Sequence, residues 1–343
     1  MLTATFPITS IDTVLTRVLT EDGHVGVGWC FAFGTGRMSS VVRLVEDMSQ
    51  AILGWDALMT SGLWTHLSNH AGFIGRKGVA TLAMSTIDIA CWDIAGQEAG
   101  MPVYRLLGGN TTEVKAYASQ GLWLDRSREE LVDEAARYVA NGFTAVKMRV
   151  GVGDLKEDLS RVESVRNAIG DDVELMVDVN QGWTFKQTLY MSDALKDYNL
   201  YWLEEPMPIE RLEEYRVARE RMPMRLCTGE SNYLKRELLE LLRIGGADCV
   251  MPDLMRMGGV TEWMKAARLC EAFGIEVSPH LFMEHSRHLA AACPNVTYQE
   301  YMPWWDAILE NPIAVERGMI RLPSSPGFGI EISDEAVEHY TVS

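Results

Sequence analysis

The sequence predicts an α/β protein in which a parallel barrel of repeated strand and helix units follows an N-terminal α+β region. The first observation is a rhythm after Thr112, where short apolar segments that end in a polar residue recur at steps of 20 to 31 residues. One strand, a crossover helix and two loops need about that length. The second observation is that the preceding part of the chain lacks this rhythm. A length of 343 residues, 47% of them hydrophobic, is enough for about two such domains.

The N-terminal region begins with a predicted hairpin. Apolar residues alternate from Ile11 to Leu19 and again from Val25 to Trp29, and the turn-forming segment Glu21–Gly23 separates the two runs. From about Ser39 to Leu107 the apolar spacing becomes helical, and Gly100 and Pro102 end its longest run. This pattern is typical of an α+β unit.

Eight candidate strands follow. Two of the segments between them, 125–142 and 155–170, have helical apolar spacing, acidic first turns and a glycine at the far end, as expected for crossover helices. In a parallel barrel the carboxyl ends of the strands meet at one mouth, so polar residues at those ends are candidates for chemistry. These residues are Ser119, Lys147, Asp178, Glu204, Glu230, Asp253, His280 and Glu300.

Composition excludes several functional classes. A net charge of -17 would repel phosphate backbones and anionic lipid, so we expect neither a nucleic-acid nor a membrane partner. The start of the chain lacks the pattern of a signal peptide, and we expect a cytoplasmic protein. The six cysteines show no CxxC spacing and lie mostly in apolar segments, as buried free thiols do.

Three successive strand ends are acidic: Asp178, Glu204 and Glu230. Carboxylates on neighbouring strands repel one another unless a cation lies among them, and an all-oxygen set suits Mg²⁺. The sequence therefore predicts a magnesium site. The alternative is that acidic residues simply end strands in an acidic protein.

Lys147 and Arg149 are alternate residues of one strand and share a face, so both enter the mouth if either does. Their charges would attract a substrate carboxylate, and arginine would clamp a carboxylate or a departing hydroxyl. The alternative is that both are solvated charges at a strand end.

Asp253 and His280 end the next two strands and are placed to pair. A carboxylate bonded to one imidazole nitrogen fixes the tautomer and leaves the other nitrogen as a base. A satisfied core histidine is the alternative; His285 and His288 are weaker candidates, expected on loop and helix surface. Glu300 is a candidate hydrogen-bond donor if its neighbours keep it protonated, or else an ordinary solvated glutamate.

Residues Ser85–Gly96, followed by Gly100–Val103 and Leu106–Gly109, resemble the signature of the enolase superfamily, specifically its mandelate racemase subgroup. The resemblance covers nearly the whole chain. It implies a modified TIM barrel, (β/α)7β, with an N-terminal α+β capping domain. The implied divisions are a cap over 1–112 without its first strand, a barrel over 113–320, and a tail over 321–343 that returns to the cap.

The same resemblance implies roles for the strand-end residues. The Mg²⁺ ligands would be Asp178, Glu204 and Glu230, His280 with Asp253 would be the base, and Glu300 would contact the substrate. In this family the metal holds a substrate carboxylate, so that loss of the adjacent proton gives a stabilised enediolate.

One departure from the family favours a particular reaction. Its racemases usually carry Lys-x-Lys on the second barrel strand, whereas this chain has Lys147-Met148-Arg149, and arginine is a poor proton acceptor. With His280 as the single strong base, we expect a Mg²⁺-dependent dehydratase of a sugar acid, an aldonate or aldarate, that gives a 2-keto-3-deoxy acid. The alternatives are a racemase or epimerase that uses Lys147, and a non-catalytic sugar-acid binder. We expect a homo-oligomer.

Overall fold

The computed structural model of the chain describes residues 1–34, 36–151 and 153–342. Its helices are α1 Ser39–Ile52, α2 Thr60–His70, α3 Val79–Glu98, α4 Val103–Leu106, α5 Arg128–Ala140, α6 Leu155–Ile169, α7 Phe185–Ala194, α8 Leu212–Arg221, α9 Leu234–Arg243, α10 Val260–Ala272, α11 Met283–Ala292 and α12 Asp334–Tyr340. Its strands are β1 Ile11–Leu19, β2 Val25–Phe33, β3 Glu113–Ala118, β4 Ala145–Arg149, β5 Glu174–Asp178, β6 Leu200–Glu204, β7 Arg225–Thr228, β8 Cys249–Val250, β9 Glu276–Val277, β10 Gln299–Tyr301, β11 Val315–Glu316 and β12 Met319–Arg321.

The N-terminal region contains the predicted hairpin. Strands β1 and β2 pair in antiparallel register, and β2 packs on helix α3. Gly26 and Gly28 make this packing possible, because a Cβ atom at either position would collide with a backbone carbonyl of α3, that of Ala90 or Thr86. The two glycines therefore serve close strand-to-helix approach.

Helix α3 is the central helix of this region. By length and composition it could cross a membrane, but 83% of its apolar window is buried inside the protein, as in a core helix. Its Asp93 accepts hydrogen bonds from the backbone N–H of Val27 at 3.1 Å and of Phe328 at 2.8 Å. One carboxylate thus ties strand β2 and the C-terminal segment to the same helix.

The barrel follows the predicted rhythm. Strands β3 to β9 lie side by side in parallel, β10 pairs with β3, and a bridge between Val277 and Val296 brings the last two segments together. Helices α5 to α11 alternate with these eight strands over the described residues, so the (β/α)7β architecture is confirmed. All six cysteines are buried and free, as predicted.

After the barrel the chain adds an antiparallel pair, β11 and β12, and β12 pairs with the first half of β3. Strand β12 lies across the boundary proposed at 320/321. Beyond it the chain reaches the N-terminal region, where Arg17 forms an ion pair with Asp334. The domain boundaries themselves stay predictions.

Candidate active site

The carboxyl ends of the barrel strands bring the predicted acidic residues side by side. Asp178, at the end of β5, is the register partner of Glu204, at the end of β6. Glu204 in turn lies opposite Cys227 of β7, and Glu230 follows two residues after that strand ends. Lys147 and Arg149 occupy the end of β4, where Arg149 is the register partner of Asp178. The strand ends therefore form a continuous arc.

Lys147 lies inside this arc and is not a solvated strand-end charge, since its side chain is 1% exposed. Its Nζ is 2.8 Å from Glu204 Oε1, 3.0 Å from Glu300 Oε1 and 3.8 Å from Asp178 Oδ2. Burial alone would lower the pKa of Lys147, but these three carboxylates together raise it. The lysine is held as an ammonium ion.

The negative charge of the buried carboxylates exceeds the positive charge of the neighbouring side chains. Burial raises the pKa of Glu204 well above its usual value; Lys147 opposes this rise, and Asp178 and Glu230 add to it. The pKa of Glu230 is raised to about 7, first by burial and then by neighbouring carboxylates, against the effect of His280. Both shifts indicate a cluster that an added positive charge would stabilise.

In the described residues, the oxygens of Asp178, Glu204 and Glu230 do not all lie within 4.8 Å of one another. The ligand atoms of Asp22, His24 and Glu98, on the surface, do lie that close together. The buried carboxylates repel one another, and the Lys147 ammonium stands between two of them. Their donor set is all oxygen, adjacent, buried and short of positive charge. These residues therefore fit a hard divalent cation such as Mg²⁺.

The predicted pair of Asp253 and His280 is present. His280 Nδ1 lies 2.7 Å from Asp253 Oδ2, and its Nε2 lies 3.4 Å from Glu230 Oε2. Burial would lower the pKa of His280, but Glu230 and Asp253 raise it to about 9. Asp253 Oδ1 also accepts the N–H of Arg256 at 2.8 Å, which fixes the carboxylate. The second ring nitrogen consequently faces the acidic arc.

The expectation of a protonated or solvated Glu300 is wrong. Its side chain is 1% exposed and lies 3.0 Å from Lys147 Nζ, while it accepts hydrogen bonds from Ser119 Oγ at 2.6 Å and from the Leu281 N–H at 2.8 Å. Burial would raise the pKa of Glu300, but Lys147, His280 and these hydrogen bonds lower it to about 2. Glu300 is therefore a buried carboxylate that accepts hydrogen bonds.

Arg149 enters the mouth region, as predicted, but does not present its guanidinium group as a clamp. Its NH1 donates to the carbonyls of Ser119 and Gly121, and its NH2 donates to Ser119 Oγ at 2.8 Å. The guanidinium carbon lies 3.9 Å from the centre of the Trp123 ring. Both terminal nitrogens are thus committed to the protein itself, which corrects the clamp prediction.

Several contributing residues were not predicted. Trp202 Nε1 donates to Glu204 Oε2 at 2.9 Å, and Asn180 donates to both oxygens of Asp178, at 2.8 and 2.9 Å. Trp202 and Glu204 are alternate residues of one strand, so the two-residue period was a signal for this contact. The Asn180 contact depends on a left-handed backbone at φ 45°, which the sequence pattern does not reveal.

His285 and His288 lie outside the site but not on the surface. Both are fully buried in α11. His288 accepts the N–H of Tyr104 at 3.2 Å, and its other nitrogen is 3.1 Å from the Phe328 carbonyl. His288 is therefore a core histidine with a hydrogen-bond partner at each ring nitrogen, which was the alternative considered for His280.

Comparisons with known proteins agree with this geometry. Residues 3–108 match the family model of the mandelate racemase / muconate lactonizing enzyme N-terminal domain, and residues 130–336 match that of the enolase C-terminal domain-like family. The chain is 30% identical over 339 residues to an arabinonate dehydratase of Saccharolobus solfataricus, a match that covers 96% of this chain and 91% of the relative.

Two solved structures represent two reactions. An L-talarate dehydratase from Polaromonas sp. JS666, crystallised with Mg and L-glucarate, has a TM-score of 0.93 and 30% identity, and the match covers 98% of this chain and 94% of the other. A racemase from Streptomyces coelicolor A3(2) with bound magnesium has a TM-score of 0.93 and 31% identity, with 97% and 92% covered. The similarity therefore extends over both domains.

Proposed function

Because this chain belongs to the mandelate racemase / muconate lactonizing enzyme family of the enolase superfamily, we propose that it is a Mg²⁺-dependent dehydratase of a sugar acid. The substrate would be an aldonate or aldarate and the product a 2-keto-3-deoxy acid. One observation carries this proposal. His280 is a base that Asp253 orients toward the acidic arc, whereas the opposite side of the arc has the Lys147 ammonium and the Arg149 guanidinium, which is already bonded to Ser119.

Asp178, Glu204 and Glu230 would hold the cation. Mg²⁺ bound there supplies positive charge beside the substrate carboxylate, which makes the proton on the adjacent carbon more acidic. The Lys147 ammonium lies next to the same arc and adds a second fixed positive charge. It stabilises negative charge on the carboxylate as the proton leaves.

His280 carries out the proton transfers in this proposal. The reacting form is the neutral ring, which a cation held by Glu230 would favour because it offsets the negative charge that raises the pKa of His280. Its Nε2 takes the proton from the carbon next to the carboxylate, while Asp253 fixes the tautomer and stabilises the imidazolium that forms. The imidazolium then returns a proton to the β-hydroxyl group as the C–O bond breaks and water leaves. The electron pair of the C–H bond becomes the double bond of an enol, which tautomerises to the keto acid.

The test is incubation of the Mg²⁺-loaded protein with a library of aldonates and aldarates, followed by detection of keto acid with semicarbazide. We expect one or a few acids to react and H280N to abolish the reaction. The absence of product from every acid would contradict the proposal. Sugar-acid binding by calorimetry without turnover or exchange would instead favour a non-catalytic binder.

A racemase or epimerase is the second candidate, since Lys147 lies on the side of the arc away from His280 and one structural relative is a racemase. This reaction needs a second base, and three carboxylates hold Lys147 in its charged form. Exchange of the α-proton with D₂O without release of keto acid would favour it. A homo-oligomer and a cytoplasmic location stay predictions.

A further inference from the structure

A chain of buried hydrogen bonds connects Arg149 to Glu300 through the hydroxyl group of Ser119. Arg149 NH2 is 2.8 Å from Ser119 Oγ, which is 2.6 Å from Glu300 Oε1. Ser119 is 0% exposed, so water does not compete for these contacts. A guanidinium group only donates hydrogen bonds, so the hydroxyl oxygen accepts from Arg149. The single hydroxyl hydrogen is then directed to Glu300.

The Glu300 carboxylate joins the two sides of the site. Its Oε1 is 3.0 Å from Lys147 Nζ, and its Oε2 accepts the N–H of Leu281, the residue after His280, at 2.8 Å. Leu281 and Phe282 have φ values of 52° and 51°, a left-handed conformation that such residues rarely adopt. The hydrogen bond from Leu281 thus holds an unusual turn directly beside the base.

Arg149 has no free terminal nitrogen for a ligand. Its NH1 contacts two backbone carbonyls, its NH2 contacts Ser119, and its planar group lies against the Trp123 ring. Its Nε also lies 4.0 Å from Asp178 Oδ2, so Arg149 acts on the site through this charge contact and through the residues that it holds by hydrogen bonds. Ser119 is the only one of these that also contacts Glu300 in the described part of the chain.

We propose that Ser119 and Arg149 are positioning residues that fix Glu300 as a carboxylate between Lys147 and the turn that follows His280. This inference rests on the proposed function for its catalytic consequence. Without the Ser119 hydroxyl, Glu300 keeps the Lys147 contact at Oε1 and the Leu281 hydrogen bond at Oε2, so the carboxylate is fixed by two contacts instead of three. The positions of the Lys147 ammonium and of the His280 turn relative to each other then become less fixed. This change affects the alignment of the reacting groups more than it affects substrate binding.

The kinetic test compares S119A and R149M with the wild type on an acid that the enzyme turns over. We expect kcat to fall about 10- to 100-fold in each variant, the effect of losing a hydrogen bond to a charged group. We expect KM to change less than about threefold, because both residues are buried and bonded within the protein. S119T keeps the hydroxyl group and should recover most of the lost kcat.

Arg166 provides a matched control. It is also a buried arginine that donates to backbone carbonyls, those of Tyr198, Gly170, Val173 and Asn199, but these contacts are remote from the strand ends of the site. R166M should lower the melting temperature and leave kcat unchanged. A similar loss of kcat in R166M would show that R149M acts through general destabilisation, and would overturn the proposal.

A second readout needs no catalysis: urea unfolding of the metal-free S119A, R149M and double variants. If the two residues act as one unit, the double variant loses less stability than the two single losses together. Additive losses, an unchanged kcat in S119A, or a raised KM with unchanged kcat in R149M would each overturn the proposal. If no acid is turned over but the losses are non-additive, the proposed function fails and the positioning contact stands.

Discussion

The pH dependence of stability can be predicted from Asp88, a buried carboxylate of α3 that is remote from the acidic arc. Its Oδ2 accepts the N–H of Thr261 at the N-terminus of α10, at 2.9 Å. Burial raises the pKa of Asp88 from 3.8 to about 7, and the hydrogen bonds to Thr261 only partly oppose this rise. The folded state therefore binds a proton that the unfolded chain has already released between these two pH values.

The sign follows from this difference in proton binding. Between pH 3.8 and about 7 the folded state holds more protons than the unfolded state, so the free energy of unfolding falls as pH rises. One pKa unit corresponds to about 1.4 kcal/mol, and about 1.5 units lie between pH 5.5 and the folded pKa. The contribution of Asp88 should therefore decrease by about 2 kcal/mol between pH 5.5 and 8.5.

The assay is urea unfolding of the wild type and D88N at several pH values across that range. Asparagine keeps an oxygen acceptor for Thr261 but cannot ionise, so D88N should gain about 2 kcal/mol relative to the wild type as pH rises. The same substitution at Asp133, an exposed residue of α5, is the control. Wild-type and D88N curves that run parallel from pH 5.5 to 8.5 would refute the argument.

The remaining predictions concern the site and the packing of the N-terminal region. E204Q should abolish the heat of Mg²⁺ binding in calorimetry and lower keto-acid formation at least ~10³-fold, because the cation loses a charged ligand; unchanged binding would exclude Glu204 as a ligand. W202F, which leaves Glu204 Oε2 without its donor, should weaken Mg²⁺ affinity about 10-fold in the same titration. G28A should lower the melting temperature measured by calorimetry, because its Cβ would collide with the Thr86 carbonyl, whereas G62A in α2, where the nearest atom is Met59 Cβ at 3.8 Å, provides a comparison.

The positions of the strand ends could be predicted because they depend on local pattern. A buried strand in this barrel is a short apolar run, and the first polar residue after it marks the mouth. This reasoning placed Asp178 beside Glu204 and Asp253 beside His280, where the structure has them. Their shared face follows from topology alone, so no long-range contact had to be known.

The hydrogen-bond partners at those ends could not be predicted in the same way. Ser119 and Glu300 are 181 residues apart, and only the closure of β10 on β3 brings them together. The charge state of Glu300 then depends on whether burial or the nearby Lys147 dominates, which composition does not decide. The expectation that Arg149 acts as a clamp failed for a related reason. The sequence places this residue at the mouth but does not show that the carbonyls of Ser119 and Gly121, just after β3, accept hydrogen bonds from its guanidinium group.

Helix α11 illustrates a different limit. His285 and His288 have the polarity of surface residues, yet both are buried, because this last crossover helix also packs against α4 and the C-terminal segment. Amphipathic spacing identifies a helix that has one face in water. It fails for a helix that is covered on all sides, and here the covering segment comes from the far end of the chain.

The site that results is asymmetric, and this asymmetry bears on the choice between reactions. On one side Lys147 and Arg149 are at most 4% exposed, the lysine bonded to Glu300 and the arginine to Ser119. On the other side His280 and Glu230 are each 13% exposed, and the imidazole has one nitrogen free of the aspartate. A racemase must move protons on both faces of the substrate carbon, whereas a dehydratase can remove a proton and return one from the same face. Buried, hydrogen-bonded cations opposite a single accessible base, His280, therefore favour dehydration.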